Sequence, residues 1–353
     1  MKKELWKKIE SGDRISEQEA LALYDWDIHE LAYLANVRRE RIHPGLTTGF
    51  IFDRIINFTN VCKAKCSFCA FHSRAGSIPP YTLTNEEIIE KVDEVVSAGG
   101  TQVMLQGGLH DEFTLSRLKN MVSEIRSLYP DLYLHSFSPA EIVFTAQNEN
   151  LSYEKVISEL KASGLNSIPG ASDLLIERMR NKVSPHKITV EQWKEVMTAL
   201  KNLDMVSTAT MTYGMGESIK ERIEHLSVVR SVQDDTGILM AFIPWSFSPN
   251  NTEMNTVIPA TGIDYLKIVA VSRIFLDNIK YIQAGWLTEG MKLAQVALTM
   301  GANDMGGVLT EEVVVRATGV ETKTSVEEMI DIIHNAGREP VQRDSRYNIL
   351  RRF

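Results

Sequence analysis

Cys62, Cys66 and Cys69 are the only cysteines in a 353-residue chain, and all three lie in the run Cys62-Lys63-Ala64-Lys65-Cys66-Ser67-Phe68-Cys69. The spacing is C-x3-C-x2-C. An odd number of thiols cannot all pair as disulfides, so this is no disulfide framework. Three soft thiolates on one short loop are instead a ligand set for zinc or for an iron–sulfur cluster. Structural zinc asks for four protein ligands, and His72, three residues past Cys69, could supply the fourth. A four-iron cluster on three cysteines keeps one iron open for a ligand that is not protein. Spacing alone leaves both chemistries standing.

A loop of this kind needs a rigid frame, and the chain offers one. Through residue 45 the apolar positions Leu5, Ile9, Ala20, Leu23, Leu31, Leu34 and Val37 recur at helical spacing, and His43-Pro44-Gly45 ends the stretch. From Phe50 the rhythm changes. Short apolar runs predict strands over 50–56, 102–106, 132–137, 165–169, 206–212, 238–243, 281–284 and 303–306, each followed by a helical segment. One such segment is expected at 173–180, ahead of another at 190–202. The pairs Thr84/Glu87, Ser218/Glu221 and Ser325/Glu328 have the spacing of capping boxes that open helices. Eight strand–helix units imply an α/β fold, a TIM-type (β/α)8 barrel of parallel strands. No G-x-G-x-x-G turn follows the first strand, which counts against an open doubly wound sheet. The expected organisation is an N-terminal helical cap over 1–45, the barrel over 46–337 and a C-terminal tail over 338–353 packing on the barrel.

In such a barrel the chemistry sits where strands run into their following loops. The cysteine loop follows the first strand. The second strand ends in Gln106-Gly107-Gly108, where two glycines let backbone approach a ligand closely. The third ends in His135 and Ser136, with Glu141 either capping a helix or binding a ligand. Asp173 follows the fourth. Tyr213 and Glu217 after the fifth could form an acid/base or binding pair, with helix capping the alternative for Glu217. Trp245 and Asn250 on the sixth suit an aromatic, polar substrate, and Gln283, Asn303 and Asp304 complete the rim. A net charge of −8 argues against nucleic acid or a membrane surface as partner. Three free thiols, with no apolar run of membrane length and no leader pattern at the start, lead us to expect a reducing cytoplasm.

C-x3-C-x2-C with an aromatic, Phe68, just before the third cysteine resembles the signature of the radical S-adenosylmethionine (radical SAM) enzymes. That resemblance implies a [4Fe-4S] cluster on Cys62, Cys66 and Cys69, with SAM bound through its amino and carboxylate groups to the open iron. It implies Phe68 near the adenine, Gln106-Gly107-Gly108 at the amino acid group, and Ser136 and Glu141 at the ribose or amine. The strings Asn57-Phe58-Thr59-Asn60-Val61-Cys62, Ala241-Phe242-Ile243-Pro244-Trp245 and Gly301-Ala302-Asn303-Asp304-Met305, with the tail Arg343-Asp344-Ser345-Arg346-Tyr347, are similar to one radical SAM group. It contains the futalosine-pathway menaquinone enzymes and the deazaflavin (F0) synthases. The tail and the Phe242–Trp245 loop are most similar to its cyclases. The implied reaction is an oxidative cyclisation of dehypoxanthinyl futalosine. A 5′-deoxyadenosyl radical would take hydrogen from the ribose C4′, the carbon radical would close onto the benzoate ring, and loss of an electron and a proton would restore aromaticity, with SAM consumed as the oxidant to methionine and 5′-deoxyadenosine. Implied with it are a low-potential electron donor such as flavodoxin or ferredoxin, catalytic roles for His135, Tyr213 and Glu217, and substrate contacts from Asp173, Trp245, Asn250, Gln283, Asn303 and Asp304. Two alternatives stay open: a sister enzyme (aminofutalosine synthase or F0 synthase), and a non-catalytic zinc or electron-transfer module.

Overall fold

In the computed structural model, which describes residues 2–76 and 78–353, the barrel strands are β1 (Thr47–Asn57), β2 (Gln102–Gln106), β3 (Tyr133–Leu134), β4 (Ser167–Ile168), β5 (Val206–Tyr213), β6 (Leu239–Ser246), β7 (Tyr281–Ile282) and β8 (Asp304–Leu309). Pairing is parallel along β1–β2–β3 and along β4–β5–β6–β7, and β8 returns to β1. Two single bridges, His135 to Ser167 and Gln283 to Asp304, close the ring. The eight-stranded barrel expected from the sequence is therefore present.

Side chains alternate inward and outward along each strand, and that parity decides which residues can reach a site. On β1, Ile51, Asp53, Ile55 and Asn57 line the central cavity, whereas Phe50 and Ile56 are buried against the outer layer. On β5, Thr208, Thr210 and Thr212 face in, and Ala209, Met211 and Tyr213 pack outward. A register shift against β5 carries β6 from Met240 facing in to Ile243 and Trp245 facing in.

The helices open as their caps dictate. Asn85–Ser97 and Ile219–Thr236 each start with a complete capping box, and Ser325 accepts from the Glu328 N–H at the head of Val326–Asn335. A helix the sequence reading missed, Pro139–Glu149, begins straight after β3, with Ser138 as N-cap and Pro139 in the first turn. The helix expected at 173–180 is instead Glu177–Val183. Ala171 and Asp173 take left-handed backbone conformations (φ 37° and 48°), so the chain cannot enter a helix until after them.

Helices Lys2–Ser11, Glu17–Leu23 and Ile28–Ile42 form the N-terminal part, and the third packs on helix Gly262–Phe275. At the other end of the chain, β9 (Glu339–Arg343) runs parallel to Thr47–Phe50 of β1, the stretch left unpaired because β2 starts opposite Asp53. The strand β10 (Ile349–Arg352) folds back antiparallel on β9. Those two strands place residues 343–347 under the N-terminal mouth of the barrel. No described helix is long and apolar enough to cross a membrane.

Candidate active site

The cysteine loop leaves the top of β1 and is held by backbone, not by its thiols. Lys63 N–H donates to Leu109 O (2.9 Å), Ser67 N–H to Val183 O (2.8 Å) and Cys69 N–H to Cys66 O (3.0 Å). Lys65 adopts the left-handed conformation (φ 48°) that turns the chain between the first two cysteines. All three thiols are free and face one cavity together with Phe68. Leu109 N–H donates to the Cys62 sulfur (3.3 Å), the kind of contact that stabilises a sulfur carrying negative charge. Burial pushes the Cys66 thiol up to about 12 and raises Cys69 as well. These groups therefore become thiolates only when a metal takes up the charge.

Among the described residues, no three His, Cys, Asp or Glu side chains converge tightly enough for a single ion. His72 lies in the cavity wall, buried, with neither ring nitrogen hydrogen-bonded. Three sulfurs spread around one opening, with backbone donors at Cys62 and Cys69, fit a cluster that gives each thiolate its own iron.

The neighbouring Gly107-Gly108 turn is required sterically. A Cβ on Gly107 would enter the Phe58 ring. On Gly108 it would lie 2.8 Å from Cys62 Cβ and closer still to the Val61 carbonyl oxygen. Gly108→Ala must therefore push the Val61-Cys62 backbone aside. The expected result is at least a tenfold loss of SAM cleavage together with a lower iron content after reconstitution, read by 5′-deoxyadenosine yield and iron assay.

Below the loop the cavity, about 470 Å³ in volume, runs down the barrel axis. Glu141 projects into its upper part, accepting hydrogen bonds from Gly107 N–H (3.1 Å) and Ser138 Oγ (2.6 Å). Burial pushes its carboxyl up to about 8. Asp173 pairs with Lys187 at 2.5 Å, and both line the wall. His135 holds Ser167 Oγ at 2.6 Å through Nδ1, and burial brings its pKa down to about 3, so the ring is neutral. Gln106, Trp245 and Gln283 also face the cavity.

Six residues expected at the site are elsewhere. Tyr213 has the outward parity of β5, and the Arg222 guanidinium stands 4.9 Å from its ring centre. Glu217 is consumed by its own turn, accepting from Gly214 N–H, Met215 N–H and Arg222 Nε at 2.7–2.8 Å, with its side chain fully buried. Ser136 accepts from Leu105 N–H between strands. Asn250 is solvent-exposed on a turn. Asn303 is buried against Arg273 and the Ile282 N–H. Asp304 does not line the cavity but grips Arg343, which does.

The sequence reading also missed residues that the barrel brings in. Asp53, Gln102, Arg343, Ser345 and Tyr347 all line the lower cavity. An acid in the middle of Phe50-Ile51-Phe52-Asp53-Arg54-Ile55-Ile56 was the available signal, because a buried parallel strand carries a charge only where something needs it.

Comparisons with known proteins agree with this geometry. Residues 56–229 match the radical SAM superfamily model, and residues 236–352 match the CofH/MqnC C-terminal region. The cyclic dehypoxanthine futalosine synthase of Halalkalibacterium halodurans is 40% identical over 97% of this chain and 93% of its own length. A second relative, the 5-amino-6-(D-ribitylamino)uracil–L-tyrosine 4-hydroxyphenyl transferase of Methanocaldococcus jannaschii, is 39% identical over 95% of this chain and 97% of its own. In fold the chain resembles the solved methylornithine synthase PylB, with a TM-score of 0.76 at 18% identity, covering 95% of this chain and 97% of that one. The chain belongs to the radical SAM superfamily, within the group marked by the CofH/MqnC C-terminal region, and is an enzyme whose cofactors are a [4Fe-4S] cluster and SAM.

Proposed function

We propose that this enzyme converts dehypoxanthinyl futalosine to its cyclic form by oxidative cyclisation, a step of menaquinone biosynthesis. The observation that carries the reading is the cavity itself: one continuous space joins the three thiols at its top to Asp53, Ser345 and Tyr347 at its bottom, with Trp245 in its wall. Similarity over nearly the whole chain to a futalosine cyclase supports it.

When bound, the cluster and SAM supply a 5′-deoxyadenosyl radical, the reagent that removes the ribose C4′ hydrogen. The chain's own residues bind, orient and exclude water. Cys62, Cys66 and Cys69 hold the cluster. The Gly107-Gly108 backbone and Glu141 hold the amino acid part of SAM, with Phe68 against its adenine. Trp245 offers a ring face to the benzoate. His135, fixed by Ser167 and kept neutral, orients substrate by hydrogen bonding; a ring with its pKa near 3 is a poor proton acceptor at neutral pH. Asp173 and Gln283 give further polar contacts along the wall. A flavodoxin or ferredoxin would deliver the electron, in the reducing cytoplasm that suits three free thiols.

Glu141 gives this arrangement a pH signature. Its carboxyl is neutral below about pH 8 in the free protein, and facing cationic SAM favours the ionised form. SAM binding below pH 8 should therefore release a proton from Glu141, and affinity should rise from pH 6 to pH 8. Glu141→Gln is expected to weaken SAM binding roughly tenfold at pH 8, the size of one charge-assisted contact, and to remove the Glu141 part of the pH dependence, as measured by equilibrium dialysis.

The substrate assignment is tested by anaerobic incubation with SAM and reductant. Dehypoxanthinyl futalosine is offered in one reaction, and 5-amino-6-(D-ribitylamino)uracil with tyrosine in another. The cyclic product forming only in the first supports the proposal. Coupling in the second, with no turnover in the first, replaces it with the transferase activity that the M. jannaschii relative's name describes.

A further inference from the structure

The floor of the cavity is built from both ends of the chain, and it contains two polar atoms with nothing to bond. Along β1 each residue rises about 3.3 Å, so Asp53 lies roughly 13 Å below Asn57 and the cysteine loop above it. Asp53 is 4% exposed. One of its oxygens accepts from Gln102 Nε2 (3.0 Å), while Oδ1 has no hydrogen-bond partner among the described residues. Room for that carboxyl is made by Gly307 on β8, where a Cβ would stand 2.8 Å from Asp53 Cγ and nearer still to Oδ1. Ser345, which reaches the same cavity from the tail below, is also 4% exposed, and its hydroxyl is likewise unpartnered. A buried polar atom left unpaired is costly, so two at one end of one cavity mark a place made for a ligand.

The surrounding charges say which ligand. Arg343 is the one cation among the floor residues; it gives two hydrogen bonds to Asp304, at 2.5 and 2.8 Å, and a third to the Asp344 carbonyl at 3.1 Å, so its charge is already paired. Its guanidinium also lies 3.8 Å from the Tyr347 ring centre, and Tyr347 stacks on Tyr281 at 3.7 Å. With His135 neutral, the floor holds two carboxyl groups against one guanidinium. No unpaired positive charge is left there to hold an anionic group. Hydroxyls suit the two orphans, since a hydroxyl can donate to Asp53 Oδ1 or accept from Ser345 Oγ–H.

We propose that Asp53 and Ser345 form a hydroxyl-recognition subsite, completed by the C-terminal tail, that reads the sugar hydroxyls of the substrate at the cavity floor. This rests on the reading that the substrate carries a ribose or ribityl group. The benzoate carboxylate is then held elsewhere, and the tail is a specificity element and not only a structural plug. Asp53 at about 7 is consistent with a group that exchanges hydrogen bonds with a neutral hydroxyl without needing a counterion.

Kinetics of the reconstituted holoenzyme test this. Ser345→Ala should raise the KM for dehypoxanthinyl futalosine about tenfold and leave the KM for SAM in place, and Asp53→Asn should raise the substrate KM at least as much. An analogue lacking the recognised hydroxyl, found by replacing the 2′- and 3′-hydroxyls with hydrogen in turn, should bind wild type and Ser345→Ala equally. If both variants keep the wild-type KM, or if the penalty is the same for the parent and every deoxy analogue, the subsite is wrong. Should wild type turn over only 5-amino-6-(D-ribitylamino)uracil, the cyclase reading has failed on its own. The subsite then stands or falls on the same tenfold KM increase measured with that polyol.

Discussion

Cys66→Ala is expected to abolish SAM cleavage in a protein that stays folded. Cys66 is buried, yet its neighbours are tied down through backbone: Ser67 to Val183 and to Glu253, and Cys69 to the Cys66 carbonyl. None of those bonds uses the sulfur. Removing a group the size of a methyl from a buried position costs on the order of 1 kcal/mol, small against the roughly 5–15 kcal/mol that keeps a domain folded. The functional loss is of another order. Mutating an outer-shell partner of a metal site costs about 10–100-fold, and losing one of three ligands must exceed that. Melting temperature and circular dichroism of the unreconstituted variant should match wild type within a few degrees. Iron content and 5′-deoxyadenosine should fall to background after reconstitution. Retained turnover would remove Cys66 from the ligand set and reopen the role of His72.

The second large effect concerns stability. Arg343→Met would leave Asp304, whose side chain is fully buried, with one backbone donor from Gly306 in place of a bidentate guanidinium, and would strip the nearest cation from Asp53. Breaking a buried pair from one side costs about 3–5 kcal/mol, so the melting temperature should drop by roughly 5 °C or more. The loss should also grow with pH. Burial already raises Asp53 from 3.8 to about 7, and Arg343 opposes that rise. A carboxyl with a folded pKa above its unfolded one favours the fold fully below the unfolded value, and loses that advantage as pH climbs through the folded value. Without Arg343 the folded pKa moves higher still, so the variant should fall further behind wild type at pH 8 than at pH 5. Equal melting temperatures across that range would show that the tail contributes little to the barrel floor.

The barrel was legible because its signals are local. Capping boxes at Thr84 and Ser218, glycine stops and short apolar runs state where helices and strands begin, and eight repeats leave few ways to close them. The cysteine loop was legible for the same reason: its three ligands and the aromatic before the last are contiguous. What failed was non-local. Tyr213 sits at a strand end where chemistry is expected, but only the ring closure of β5 against β4 and β6 decides that Thr212 faces in and Tyr213 out. For Glu217 the sequence offered helix capping beside an acid/base role, and it cannot show that the turn's own N–H groups and Arg222 take both oxygens. Asn303 and Asp304 carry the polar chemistry anticipated, one step removed, holding Arg273 and Arg343. The tail was expected on the barrel, but its strands escaped because Glu339–Arg343 has no strong apolar alternation. It becomes a strand only where β1 outruns β2 and offers an unpaired edge.

A radical generated at the cysteine loop must reach a ribose held below it in the same cavity, and isotope transfer tests that most directly. Dehypoxanthinyl futalosine carrying deuterium at the ribose C4′ is incubated anaerobically with the holoenzyme, SAM and reductant, and the 5′-deoxyadenosine is analysed by mass spectrometry. One deuterium in 5′-deoxyadenosine, in step with cyclic product, is the expected result. Cyclic product accompanied by unlabelled 5′-deoxyadenosine, with the C4′ deuterium lost to solvent instead, would contradict it.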